Sequence, residues 1–155
     1  MRRKTKIKKY ITPDERYNNP LVSKLINYVM REGKKSVAQK VVYTSFDIIK
    51  EKTKADPIEI FDRAMKNITP SIEVKSRRVG GAKYQVPQPV RTERKVQLAF
   101  RWLLLAAKSK KGKPMAEKLA EELMLASNNE GSAIRKKLDT HRMAEANRAF
   151  AHFSW

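Results

Sequence analysis

The sequence contains no cysteine. That absence excludes a disulfide framework and any thiolate-ligated metal. Histidine is scarce too, with two residues, His141 and His152. On one continuous helix they would share a face but stand roughly 16 Å apart, too far to hold one metal. Long apolar runs are missing. The longest apolar stretch, LAFRWLLLAA at 98–107, is broken by Arg101 and falls far short of the ~20 residues that span a bilayer. The opening MRRKTKIKKY has no apolar core and is not a secretory signal. These features predict a soluble, cytoplasmic protein with no membrane attachment. Acidic residues are also in deficit, 16 against 35 Lys and Arg, for a formal net charge of +19 over 155 residues. Such a charge opposes compaction unless a polyanion neutralises it, so nucleic acid is the expected partner.

Signs of catalysis are absent as well. No nucleophile, base and orienting group can be assembled. REGKKS at 31–36 resembles the end of a phosphate loop, but Tyr28 stands where its first glycine belongs and Lys35 replaces the Ser/Thr. Asp56 and Glu59 read as helix-capping residues, and Glu121 and Glu122 as a solvated face. The expectation is no catalytic residue, no metal, no cofactor and no small-molecule substrate.

What is present is helical grammar. The length predicts one domain, 1–155. Residues 1–18 form a basic arm. A first helix opens on Asn19 and Pro20 and stops at Gly33. A second begins with a capping box at Ser36 and Gln39, with Val37, Ala38, Val41, Val42, Phe46 and Ile49 facing inward. A third starts at Asp56-Pro57 and ends at Pro70. Helices four and five start near Thr92 and Pro114. The fifth carries an inward stripe of Met115, Leu119, Ala120, Leu123 and Ala126. A sixth runs from about 132 to 150, with Ile134, Leu138, His141 and Ala144 inward.

Between helices three and four the period changes to that of a strand. Residues 72–91 read as one two-stranded β-hairpin turning at Gly80-Gly81. Pro87 and Pro89 are two apart, so their missing N–H groups lie on one outward edge. Ile72, Val74, Val86 and Val90 would anchor its base. Each strand of eight residues would reach about 26 Å, carrying Arg77, Arg78, Val79, Gly80, Gly81, Lys83 and Tyr84 away from the body. The predicted fold is therefore mainly α: a bundle of about six helices with one protruding hairpin. Lys34 and Lys35, beside the start of helix two, suit a phosphate. The tail at 151–155 is aromatic and docks on the helices or, if exposed, stacks on bases.

Four stretches carry a resemblance along nearly the whole chain: LVSKLINYVMREGKKSVAQ (21–39), GGAKYQVPQPVR (80–91), RWLLLAA (101–107) and DTHRMAEANRAFAH (139–152). In order and spacing the chain resembles small-subunit ribosomal protein seven of the bacterial type. The resemblance implies a helical body with a protruding hairpin and no enzymatic activity. It implies primary binding to the 3′ major domain of 16S rRNA, nucleation of the 30S head, and a place near the E site with contacts to mRNA and tRNA. Ribosomal proteins nine and eleven would be its neighbours, in the small subunit in the cytoplasm. Some such proteins also repress translation of their own operon, a role left open here. Matched by position, Arg2, Arg3, Lys4, Lys9, Lys34, Lys35, Lys75, Arg77, Arg78, Arg91, Arg94, Lys95, Met115 and Arg142 would face rRNA. Arg78, Val79, Gly80, Gly81, Lys83, Tyr84 and Trp155 would face the E site. Many relatives carry Tyr and Arg where this chain has Phe153 and Ser154, so a tail contact using that charge or hydroxyl does not carry over. Thr92 replaces a frequent proline. An architectural DNA-binding protein is the competing reading. A peripheral membrane protein is a third, weakened because the basic residues are spread over arm, loops and hairpin rather than along one helix.

Overall fold

A computed structural model describes residues 12–153. Six α-helices and one antiparallel hairpin follow in the order α1 (Pro20–Val29), α2 (Lys35–Thr53), α3 (Pro57–Ile68), β1 (Ile72–Val79), β2 (Ala82–Pro89), α4 (Thr92–Ser109), α5 (Met115–Ser127) and α6 (Ser132–Ala146), with a final 3-10 helix at Arg148–Phe153. Counted with that short helix, seven helices lie among the described residues. The expected architecture, a helical body with one hairpin between α3 and α4, is observed.

Local signals account for several element starts. Asn19 Oδ1 accepts from Leu21 N at 2.8 Å and Asp56 Oδ1 from Ile58 N at 2.9 Å, each just before a proline in the first helical position. Each side chain satisfies a donor that the first turn leaves without an intrahelical partner. Gly80 and Gly81 take φ of +57° and +90°. Positive φ at both central residues is what a two-residue turn needs to match the twist of its strands. Val90 N donates to Ser71 O at 3.0 Å. With the register Ile72↔Pro89 and Val74↔Pro87, alternation of the ladder puts both prolines at outward-facing N–H positions, as their spacing requires.

α5 lies at the centre, packed against α2, α3, α4 and α6. Leu119, Ala120, Leu123 and Ala126 are fully buried there, beside Phe46 and Ile49 of α2, Phe61 and Ile68 of α3, and Phe100 and Leu103 of α4. The strands pack against α6 and the 3-10 helix, and Val90 at the hairpin's exit joins this core. Among the described residues no helix is long and apolar enough to cross a membrane.

Several expectations are corrected. Gly33 is left-handed at φ +72°, but α1 has already ended at Val29 because Met30 turns extended. The capping box at Ser36 does not form. Lys34 is the N-cap and bears no side-chain cap, which places Ser36 inside the first turn. Val37 is 57% exposed, since α2 buries the face of Ala38, Val42, Ser45, Phe46 and Ile49. Ile72 is exposed and Val74 half-buried, leaving Val86 and Val90 as the buried anchors of the hairpin. Leu138 is exposed because α6 turns the face of Ala133, Ile134, Lys137, His141 and Ala144 to the rest of the protein. α6 stops at Ala146, so His141 and His152 do not share one helix.

The arm is shorter than 1–18. Asp14 is buried and accepts from Tyr43 Oη at 2.7 Å and from the backbone N–H groups of Arg16 and Tyr17 at 3.2 Å. Tyr17 packs edge-on against Phe46. This polar knot ties residues 14–17 to α2.

Candidate nucleic-acid interface

The exit of the hairpin brings separate basic segments together. Glu73, Lys75, Arg77, Gln88, Pro89, Arg91 and Arg94 line an open groove of ≈ 750 Å³. Glu73, Lys75 and Arg77 alternate along β1 and so point to one face of the ribbon. Arg91 is the N-cap of α4, and Arg94 lies in its first turn. Four of the residues proposed to face rRNA therefore share one groove. The carboxylate among them was not anticipated. Glu73 Oε1 lies 3.2 Å from Lys75 Nζ, and Oε2 accepts from Arg94 Nε at 3.2 Å. Burial pushes the Glu73 carboxyl up, but hydrogen bonds from Lys75 and Arg94 outweigh it and hold the group below the usual carboxylate range. No sequence signal pointed to the pair with Arg94, which stands 21 positions away.

Toward the tip, Arg78 sits directly opposite Lys83 across the strands. Like charges so placed oppose pairing and concentrate positive potential where an anion would relieve it. A Cβ at Gly80 or Gly81 would meet nothing within 4 Å, so the turn itself, not crowding within the protein, calls for glycine. Val79 is half-buried and Lys83 exposed. Tyr84 is half-buried because its ring lies against Phe150 and Phe153 of the 3-10 helix, centroids 5.1 and 5.4 Å apart. The described part of the tail thus docks mainly on the hairpin, with a smaller contact to α6.

A second groove, of ≈ 300 Å³, unites Lys34 with Met115. Its floor is apolar, with Val29, Val37, Val41 and Leu104, and Arg31 and Lys108 line it as well. Arg31 and Lys108 were not singled out in the sequence, since neither interrupts a pattern. Lys34 pairs with Glu32 at 3.0 Å, an exposed contact of little energetic weight. Lys35 opens α2 and is exposed. Lys95 is half-buried and Arg142 exposed on α6; neither lines a groove described above. Arg2, Arg3, Lys4, Lys9 and Trp155 lie outside the described residues. Among the described residues no group of three or more His, Asp or Glu could hold a metal ion.

Glu122 overturns a reading of the sequence. It is fully buried, not solvated. Oε1 accepts from Ala133 N at 2.9 Å, capping α6 from a different helix, and Lys110 Nζ lies 3.0 Å from Oε2 as an ion pair without hydrogen-bond alignment. The periodicity held a signal for it, because position 122 falls between Leu119 and Leu123 on the inward stripe of α5.

A family model described as "Ribosomal protein S7p/S5e" matches residues 1–148. The chain is 60% identical over 155 residues to a protein of Thermotoga neapolitana and 59% identical over 155 residues to one of Thermotoga maritima, covering 100% of both chains in each case. It is 60% identical over 154 residues to a protein of Thermosipho africanus, covering 99% of both. All three relatives carry the name "Small ribosomal subunit protein uS7".

Proposed function

The chain belongs to the ribosomal protein S7p/S5e family, and from that premise we propose that it binds small-subunit rRNA through the two grooves and carries its hairpin toward the mRNA and tRNA of the E site. As a family member it is a structural constituent of the small ribosomal subunit, in the bacterial cytoplasm, with rRNA and other ribosomal proteins as partners. The observation that carries the finer reading is the groove at the hairpin base, where Lys75, Arg77, Arg91 and Arg94 come together from a strand and a helix start.

The mechanism is one of neutralisation and shape. Phosphates from converging RNA helices repel each other. Cations on a rigid ribbon and helix start offset that repulsion at a defined geometry and release counterions. The A-form major groove is too narrow for side chains, so specificity comes from backbone shape and splayed bases. The apolar floor of the second groove, with Lys34, Arg31 and Lys108 beside it, suits a base with its phosphate. Binding to the 3′ major domain in this way would seed the fold of the head. A third groove, of ≈ 440 Å³, is lined by Ile72, Pro87, Pro89 and Ala144 with Gln88, His141, Glu145 and Arg148; the neighbouring ribosomal proteins nine and eleven are partners that the family likeness implies.

The test is a salt titration of binding to a 3′ major-domain RNA fragment, with an equal-length unrelated RNA and duplex DNA as competitors. A steep salt slope with strong preference for the fragment is expected. The same slope without preference would leave a generic polyanion binder, and equal affinity for duplex DNA would favour the architectural alternative.

A further inference from the structure

The groove at the hairpin base holds one residue of the wrong sign for an RNA-binding surface. Glu73 is the single carboxylate among its lining residues, beside Lys75, Arg77, Arg91 and Arg94. Four cations and one anion leave a formal +3. A phosphate entering the groove is repelled by Glu73 whatever RNA it belongs to. If the groove only gathered charge, a neutral residue here would serve better.

The geometry gives the carboxylate another role. Its side chain is 11% exposed and its two oxygens each take one cation, Lys75 Nζ and Arg94 Nε, both at 3.2 Å. The cations themselves reach solvent, with side chains 53% and 36% exposed. Long basic side chains lose rotamer freedom when a ligand orders them. Here one buried carboxylate meets both cations. The Arg94 bond uses Nε and none of the terminal amino groups, so the end-on pair of N–H donors stays open to a phosphate. The same bond ties β1 to the first turn of α4, so it sets the hairpin against the helical body.

We infer that Glu73 is a positioning residue that sets RNA specificity: it lowers the groove's affinity for polyanions in general and raises its preference for RNA whose phosphates match the held spacing of Lys75 and Arg94. This rests on the proposed RNA-binding function. The depressed pKa of Glu73 agrees with it, since the carboxylate is ionised at neutral pH.

Two variants of the full chain test it. Glu73→Gln keeps the size and removes the charge. Glu73→Asp keeps the charge and withdraws it by one methylene. Affinity is measured for the 3′ major-domain fragment and for an equal-length unrelated RNA, with Tm recorded for each variant. Glu73→Gln should bind the unrelated RNA more tightly and the fragment more weakly, so that their ratio falls about tenfold, the scale of one charge-assisted hydrogen bond. Glu73→Asp should leave the unrelated RNA unaffected and still lower the ratio. If both RNAs gain together, Glu73 is only a charge; if both lose together with a lower Tm, it is only structural. Either result overturns the inference. Should Glu73→Gln fail to fold, the ratio for Glu73→Asp decides in its place. A wild-type chain without preference removes the function reading and this inference together. A wild-type preference that both variants retain removes this inference alone.

Discussion

Tyr84 of β2 and Phe150 of the 3-10 helix hold each other, ring centroids 5.1 Å apart and planes inclined by 51°. Phe153 adds a second contact to the same tyrosine at 5.4 Å, and the two phenylalanines lie nearly parallel. A two-stranded ribbon alone is marginal in water. This cluster braces its outer half, while Val86 and Val90 anchor the inner half.

Tyr84→Ala should therefore free the tail and the outer hairpin together, at a cost of about 1 kcal/mol beyond the lost burial. Amide hydrogen exchange is the check. Protection should fall at 82–85 and at 150–153, with α5 unchanged. Loss in the strand alone would mean that the tail is held by something else.

Tyr43 and Asp14 tie the segment before α1 to α2. The phenol is pushed up to about 12 by burial first and then by its bond to the Asp14 carboxylate. Its contribution to stability is full below pH 10, the ordinary phenol value, and is lost as pH rises through about 12. Tyr43→Phe should cost about 1–2 kcal/mol, because it leaves a buried carboxylate short of a donor. Thermal denaturation near pH 7 reads the loss, and ultraviolet titration should show one fewer late-ionising tyrosine.

His141 Nε2 accepts from Ser71 N at 3.3 Å. Burial and then the nearby Lys137 push its pKa below the ordinary 6.5. A depressed folded value means that stability is present above pH 6.5 and is lost as pH falls through the folded pKa, since the unfolded chain takes the proton first. Denaturant midpoints from pH 7.5 downward should fall in that window. His141→Gln, which keeps an acceptor but does not titrate, should flatten the change. An unchanged slope in the variant would assign it to another group.

Gly131 has φ +95°, and a Cβ there would come within 2.8 Å of Glu122 Oε1. Gly131→Ala should thus cost more than the ~1 kcal/mol typical of a left-handed position, because it also displaces the carboxylate that caps α6. Glu122→Ala should cost about 2 kcal/mol, above one ordinary hydrogen bond and below a full buried ion pair, since Lys110 can turn to solvent. Chemical denaturation of the two single variants and the double variant should give non-additive losses.

The legible parts of this molecule were those whose causes lie within a few residues. Asn19 and Asp56 announced their helices because a capping oxygen reaches a backbone N–H two positions on. Gly80-Gly81 announced the turn, and Pro87 and Pro89 its outward edge. Ser36 does not cap because Lys34 already ends the loop, so the capping pattern falls two positions late. Glu122 departs from the solvated place its type suggests because its position in the period of α5 is inward.

By itself the sequence determined the number and kind of elements, the single hairpin, the surplus of positive charge and the family. The first three follow from local backbone preference, from periodicity and from simple composition; the family follows from the likeness of whole stretches in order and spacing. Only the tertiary structure decided that Glu73 holds Arg94, that Glu122 caps α6, that Tyr84 meets Phe150 and that Lys34 and Met115 share a groove. Those pairs lie beyond the reach of local patterns and are brought together by packing of the helices around α5 and of the hairpin against α6 and the 3-10 helix. Hydrophobic burial is non-directional, so a sequence pattern states which face turns inward but not which polar partner waits there.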